Sequence, residues 1–424
     1  MESSCNLGVS GFAQFVRSTT TKILGDDVMD ALELFAGAGG LALGISNAGF
    51  NHLGVIEWDH DACESMRFNK RRRIKHVSEW PIHEADVTKV KFSEYGENID
   101  LLAGGVPCQP WSQGGKHAGQ NDQRNLFPHM IRAVRETKPK VVLIENVKGL
   151  LRESFSTYFE YITLSLSHPE IKQKPHETWQ EHLAKLEQHH TSGRSRGLEY
   201  KVTHRLLNAA DYGIPQRRER VFIVAFRSDL GLDWSFPDPT HSADSLFYSQ
   251  WITGDYWKEQ DISQARRPVP NERIIARARK FGLFEPTESA WNTVRSALHN
   301  LPDPNQQLDS RWKNHTLVPG ARSYVGHTGS PLDEPAKTLK AGDHGVPGGE
   351  NTLAHPDGKV RYFTIREAAR LQTFPDTYSF PGSWTESMRQ LGNAVPVKLA
   401  QILAIRIQKH LSMYHAQKGT RLIA

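Results

Sequence analysis

Three features of the chain predict an α/β fold, with a mostly parallel sheet and a second, smaller, irregular domain. Residues 28–147 alternate short apolar runs with longer amphipathic stretches, the pattern of strand-and-helix units. The first four candidate strands run directly into glycine-rich or polar clusters. From Ser228 to about Arg361 helical periodicity fades while Pro, Gly, Trp, His and Asn become more frequent, which marks a region of short strands and loops.

The first strand, Asp30–Leu34, opens onto Phe35-Ala36-Gly37, and the second, His52–Ile56, onto Glu57-Trp58. Ile99–Ala103 leads into Gly104 to Gln109, and Val141–Ile144 into Glu145-Asn146-Val147. A further strand is expected at Arg220–Phe226. Open α/β sheets bind ligands outside the carboxyl ends of their strands, so the first four clusters are expected to line one crevice. Residues 166–198 are polar and hold His168, His176, His182, His189 and His190. With no cysteine or organised carboxylate spacing beside them, they read as a solvated helical insertion, and no metal site is expected. Regular organisation returns at TIREAARLQTFP and closes with PVKLAQILAIRIQKHL, an amphipathic helix expected to pack on the first domain.

Bulk properties exclude several classes. The 424 residues exceed a single core, since cores rarely grow much beyond roughly 250 residues. A hydrophobic fraction of 38% with 23% charged residues suits a folded globular chain rather than a disordered or membrane-embedded one. No segment has the apolar length of a membrane span, and the N-terminus lacks the pattern of a signal peptide, so a cytoplasmic location is expected. The three cysteines, Cys5, Cys63 and Cys108, form no C-x-x-C pair, which argues against a disulfide framework. The net charge of +5 favours a polyanionic partner without requiring one.

Gly37 to Ala42 satisfies the G-x-G-x-x-G/A fingerprint, and Glu57 follows Gly37 by 20 residues. Glycines let a ligand approach the backbone, and a carboxylate ending the second strand can bind ribose hydroxyls, so a nicotinamide-dependent oxidoreductase would also explain this turn. Cys108 lies in the Pro-flanked loop GGVPCQPWS, where a structural cysteine would be unusual. Glu145 closes an apolar strand, a costly place for a carboxyl without a task; a structural salt bridge is the other reading. In QRRER, Gln216, Arg218 and Arg220 are expected on one face and suit an anionic or carbonyl-bearing substrate. A zinc deaminase would need P-C-x-x-C, but position 111 is Trp.

Taken in order, ELFAGAGGL, EWD, ADV, GGVPCQPWS, ENV, QRRER, REAARLQTFPD and QLGNAVP resemble bacterial DNA cytosine-5 methyltransferases of the type II restriction-modification kind. The resemblance implies a Rossmann-like S-adenosylmethionine-dependent methyltransferase fold acting on double-stranded DNA. It implies that Cys108 adds to C6 of a flipped-out cytosine, with Pro107 beside it. Glu145 would engage N3 and the exocyclic amine, and Arg220, supported by Arg218, would hold O2, with Gln216 and Asn146 as scaffolding. The covalent logic is independent of the resemblance: cytosine is a poor carbon nucleophile until a bond at C6 and protonation at N3 redistribute its electrons.

For S-adenosyl-L-methionine the resemblance implies Phe35, Gly37 and Gly39 around the methionine part and Glu57 on the ribose. It likewise implies Trp58 against the adenine, Asp86 at its amino group, and Asn393 closing the pocket. Gln109, Ser112, Arg124 and Thr338 are the implied DNA contacts, and Ser112 to Phe127, rich in glycine, resembles a closing lid. Arg322, Lys337, Lys340 and His344 read first as solvated cations and second as contacts to phosphate or base edges. Arg366 and Arg370 read as architectural.

The expected organisation is an N-terminal extension over 1–27, a catalytic domain over 28–227, a target-recognition domain over 228–386 and a returning C-terminal segment over 387–424. The rival readings are a tRNA cytosine-5 methyltransferase, which shares the motifs, the oxidoreductase, and a silent DNA-binding module. The long region 228–360 leans toward DNA. By resemblance the enzyme would work as a monomer and protect host DNA from a restriction endonuclease that shares its target site.

Overall fold

The computed structural model of the chain describes residues 28–107, 125–193, 197–281, 285–306, 312–323, 328–341 and 351–423. Its centre is a sheet of seven strands: β1 (Met29–Leu34), β2 (Phe50–Glu57), β3 (Ile82–Glu84), β4 (Leu101–Gly105), β5 (Val141–Val147), β6 (Tyr200–Asn208) and β7 (Glu219–Arg227). The spatial order is β3-β2-β1-β4-β5-β7-β6. The first five strands run parallel, whereas β7 is antiparallel to both β5 and β6. The sheet is thus mostly parallel, as expected, with two strands, β3 and β6, that the apolar pattern did not mark.

Strand periodicity sorts the core into two layers. Leu32, Leu102, Val142 and Ile144 enter one buried cluster, while Ala31, Leu101, Ala103, Val141 and Leu143 enter another. Successive side chains point to opposite faces, so strands covered on both faces read as continuous apolar runs. Helices α1 (Gly40–Asn47), α2 (His60–Arg71), α3 (Phe127–Thr137), α4 (Ser156–Ser167) and α5 (Trp179–Thr191) fall between these strands. Asp59 caps α2 through the Ala62 amide, and Thr178 with Glu181 forms a capping box on α5.

The expected solvated insertion is helical and mostly exposed over residues 171–193, but one face of it is buried. His182 and His168 are buried, and Leu183 and Leu186 of α5 belong to the first core cluster. Its helices are therefore packed onto the sheet flank. His182 bridges the Tyr161 hydroxyl and the Ile171 carbonyl, satisfying both ring nitrogens, which makes its burial affordable.

After β7 come short elements: β8 (His241–Ser242), α6 (Ala243–Trp251), α7 (Asp255–Glu259), α8 (Glu272–Lys280), β9 (Ser289–Ala290) and α9 (Val294–Leu298). Their own core is small, centred on Leu246, Tyr256 and Trp257. A three-stranded sheet of β10 (Ser330–Pro331), β11 (Thr352–Ala354) and β12 (Val360–Tyr362) follows.

Three helices then return: α10 (Ile365–Leu371), α11 (Trp384–Asn393) and α12 (Val397–Ile423). Leu399, Leu403, Ile407 and Leu411 put an apolar stripe of α12 into the second core cluster. Gly44 of α1 makes that contact close: a Cβ there would stand 2.4 Å from the Ala400 Cβ.

The segment before the boundary expected at residue 386 is not confined to the irregular domain. Ile365, Ala368, Leu371, Phe374 and Tyr378 share one cluster with Ala42, Val55 and Met66 of the first domain. Tyr378 donates its hydroxyl hydrogen to the Ala38 carbonyl, and Asn69 holds both main-chain groups of Ser379. The REAARLQTFPD segment therefore packs on the catalytic body as well as on the irregular domain, whose Val294, Ala336 and Leu339 share the same cluster and whose Lys313 and Ala297 carbonyls accept from Arg366 and Arg370.

Candidate active site

A cleft of about 960 Å3 opens along the carboxyl ends of β1, β2, β4 and β5. Parallel strands deliver their C-termini to one edge, so Phe35, Gly37, Glu57, Trp58, Pro107, Glu145 and Asn146, taken from four separate stretches, all line it. Asp86, just beyond β3, and Asn393, at the end of α11, close its sides. The reversal of β7 completes the site. Because that strand is antiparallel, its N-terminal end lies at the same edge, with Arg220 paired opposite Val147.

One end of the cleft is organised by Glu57. Its Oε2 accepts from the Gly37 amide at 2.7 Å, and its Oε1 accepts from the Trp58 and Asp59 amides at 2.9 Å each. Burial raises its carboxyl above the usual carboxylate range, against the pull of those amides. Phe35 has φ 57 and Gly37 φ 54, both left-handed; for phenylalanine this is a strained conformation of the kind held at ligand sites. Beside them the Trp58 ring is 76% exposed, a flat apolar surface at the rim. Asp86 accepts from the Thr88 amide, which lowers its carboxyl, and leaves an acidic edge at the cleft.

The other end is organised by Glu145. Its carboxyl is buried and meets the Arg220 guanidinium at 2.9 Å, Nε to Oε1. The contact is an ion pair off the hydrogen-bond direction, so Oε1 has no donor aligned with it. Burial raises the Glu145 carboxyl despite Arg220 and Arg218. Next to it, Asn146 donates from Nδ2 to the Val106 carbonyl at 3.1 Å and accepts the Val147 amide on Oδ1. Asn146 thereby anchors the chain that runs through Pro107 to Cys108.

Four of the expected site residues that the structure describes, Gly39, Gln216, Arg218 and Thr338, do not line this cleft. Arg218 is wholly buried and donates to the Leu339 and Gly392 carbonyls at 3.2 and 2.7 Å, so its charge is spent joining three segments. Gly39, φ 78, begins α1 with its Cα against Trp80, where a Cβ would lie 2.7 Å from the ring; packing explains it, not ligand approach. Gln216 is also buried, accepting the Leu339 amide and donating to the Leu371 carbonyl, as scaffolding should. Thr338 donates to the Arg217 carbonyl, tying the same two segments together. Arg366 is buried on the Lys313, Pro375 and Tyr378 carbonyls, an architectural role. Cys108, Gln109, Ser112 and Arg124, with most of the expected lid, lie outside the described residues.

Sequence reading missed Arg389, which lines the cleft and pairs with Asp59 at 2.8 Å and with Glu386. The signal was present: Arg389 lies four residues before Asn393, on the same helical face. Lys340 also reaches the cleft.

Comparison with known proteins agrees with this arrangement. The profile of the C-5 cytosine-specific DNA methylase family matches residues 29–170 and 171–409. The chain is similar to the type II methyltransferase M.NgoMIV of Neisseria gonorrhoeae, 32% identical over 90% of this chain and 97% of the relative. It is similar also to the type II methyltransferase M.Eco47II of Escherichia coli, 33% identical over 90% of this chain and 78% of the relative. The solved structure of the S. pombe Dnmt2 methyltransferase has the same fold, with a TM-score of 0.53 at 18% identity, covering 90% of this chain and 99% of that one.

Proposed function

The chain belongs to the C-5 cytosine-specific DNA methylase family, and on that premise we propose that it methylates carbon 5 of a cytosine flipped out of a specific duplex DNA sequence, with Cys108 as nucleophile. The observation that carries this reading is the buried Glu145 carboxyl. It is raised by burial, paired with Arg220, and carries an oxygen without an aligned donor at the edge where Pro107 leads to Cys108. A carboxyl in that state can protonate cytosine N3 through one oxygen and accept from the exocyclic amine through the other. Arg220 supplies the donor for O2.

S-adenosylmethionine fits the opposite end of the cleft. Glu57 would hold the ribose hydroxyls, the exposed Trp58 would offer a stacking surface for adenine, and Asp86 would accept from its amino group. Bound there, the cofactor supplies a methyl group on a sulfonium. The Cys108 thiolate adds to C6, and the C5–C6 π pair moves to C5. That pair takes the methyl as its bond to sulfur breaks toward sulfur. A solvent base removes the C5 proton, the thiolate leaves by elimination to restore the double bond, and the N3 proton returns to Glu145. A stacked base cannot reach Cys108 and Glu145 together, so the cytosine must leave the helix.

The type II relatives support a role in protecting host DNA from an endonuclease with the same target. The enzyme would act as a cytoplasmic monomer; among the described residues no helix is long and apolar enough to cross a membrane. The test is to express wild-type and Cys108→Ala chains in a methylation-free host and map 5-methylcytosine across the genome. One methylated sequence motif, absent with Cys108→Ala, is expected. Methylation that survives the substitution, or none on DNA alongside methylated RNA, would overturn the reading.

A further inference from the structure

Of the five histidines in the polar insertion, three converge where its two ends meet the sheet. His168 follows α4 directly, His189 and His190 lie in the last turn of α5, and Glu199 precedes β6. His168 Nδ1 lies 3.7 Å from Glu199 Oε1, and His189 Nε2 lies 3.9 Å from the same oxygen. These three donor atoms all fall within 4.8 Å of one another.

The separations are too long for direct hydrogen bonds. The two His–Glu separations exceed by about half an ångström the ~3.3 Å between donors held about 2.05 Å from a tetrahedral zinc ion, and the three donors, within 4.8 Å of one another, must draw together by up to about 1.5 Å to share one ion. His168 Nδ1 is buried, has no hydrogen-bond partner and stands 3.7 Å from Glu199 Oε1. Its other nitrogen, Nε2, is 2.9 Å from His190 Nδ1. With the proton on Nε2 donated to His190, Nδ1 presents its lone pair to the cluster, the second-layer arrangement that orients metal-binding imidazoles. The side chains are 10%, 18% and 27% exposed for His168, Glu199 and His189, so the centre is sheltered yet reachable.

We propose that His168 Nδ1, His189 Nε2 and Glu199 Oε1 form a divalent transition-metal site of the zinc type. It has two imidazoles, one carboxylate and a fourth position open to water. The ion pins the end of α5 to the start of β6, the edge strand of the sheet. This site does not depend on the methylation chemistry. The sequence argued against a metal because no cysteine or organised carboxylate spacing lies beside the histidines. The carboxylate that completes the set comes from beyond the insertion.

The experiment uses the full chain without a histidine tag, stripped with a chelator, exposed to Zn2+ and desalted, with metal measured by mass spectrometry. About one retained equivalent is expected in the wild type and close to none in His189→Ala and in Glu199→Gln. His190→Gln, which removes only the orienting partner, should weaken binding by about 10–100-fold. Zn2+ should raise the thermal midpoint of the wild type and leave the two ligand variants unmoved. His189 and Glu199 are partly buried, and unchanged circular dichroism without metal keeps the comparison fair. No retained zinc in the wild type, or equal zinc in wild type and ligand variants, would overturn the proposal.

Discussion

Arg220 Nε stands 2.9 Å from Glu145 Oε1, although 75 positions of sequence separate the two residues, because β7 runs antiparallel to β5 and returns its first residues to the ligand edge. That contact places a cation against a carboxyl which burial keeps ready to hold a proton.

The proton on Glu145 is expected to control the rate. Glu145→Gln cannot deliver a proton to N3, and methyl transfer to DNA should fall by about 10²–10⁴-fold with duplex binding little changed. The carboxyl is raised, so its protonated fraction declines as pH rises through its folded value, and single-turnover rates should lose a component on that alkaline side. An identical pH profile in wild type and Glu145→Gln would show that Glu145 does not act as an acid.

Arg218 and Arg220, two residues apart, should separate stability from chemistry. Arg218→Ala leaves the Leu339 and Gly392 carbonyls without their buried donor, and should cost about 3 kcal/mol or more in urea unfolding. Arg220→Ala opens onto the cleft, and should lower methyl transfer by about 10²–10³-fold with a much smaller loss of stability. The opposite ranking would mean that the cleft-facing arginine is the structural one.

Asn146→Ala removes the donor to the Val106 carbonyl. A buried acceptor left unpaired costs about 1–3 kcal/mol. Because that carbonyl belongs to the chain leading to Cys108, trapping of 5-fluorocytosine DNA should slow as well. Destabilisation with normal trapping would confine Asn146 to the fold.

Trp58→Ala should raise the Kd for S-adenosylmethionine with kcat nearly unchanged. Stacking of a base on an aromatic ring is worth about 1–3 kcal/mol by alanine substitution, roughly 5–150-fold in affinity. Fluorescence or calorimetric titration reads this directly, and Trp58→Phe should recover most of the loss. An unchanged Kd would remove Trp58 from the cofactor site.

Glu33 gives a pH-dependent stability of definite sign. It is wholly buried, with His52 Nε2 at 3.6 Å, and neither of its oxygens has a well-placed donor. Burial raises its folded pKa above the unfolded 4.5. The favourable contribution of the protonated form is therefore full below the unfolded value and is lost as pH rises through the folded one. Each unit of that shift is worth ~1.4 kcal/mol. Glu33→Gln should flatten the fall in stability between the ordinary carboxylate range and neutrality, as read by denaturant unfolding at several pH values. A steeper fall in the variant would contradict this sign.

The amino-acid sequence by itself determined the local chemistry: which apolar runs become central strands, which clusters end them, and hence that Phe35, Glu57, Pro107, Glu145 and Asn146 meet in one crevice. Those features follow from short-range periodicity and from the geometry of parallel strands, which delivers every carboxyl end to one edge. Tertiary structure alone decided what depends on partners far away in the chain. The apolar run of β7 fits a parallel or an antiparallel neighbour equally well, and only its pairing with β5 and β6 turns Arg220 toward the cleft. Arg218 looks as available as Arg220 until Leu339 and Gly392 close around it. REAARLQTFPD carries no mark of its attachment to α2, because burial of Tyr378 and the Asn69–Ser379 pairing arise between surfaces more than 300 residues apart. His168 and His189 likewise meet Glu199 only when the end of α4, the end of α5 and the start of β6 come together.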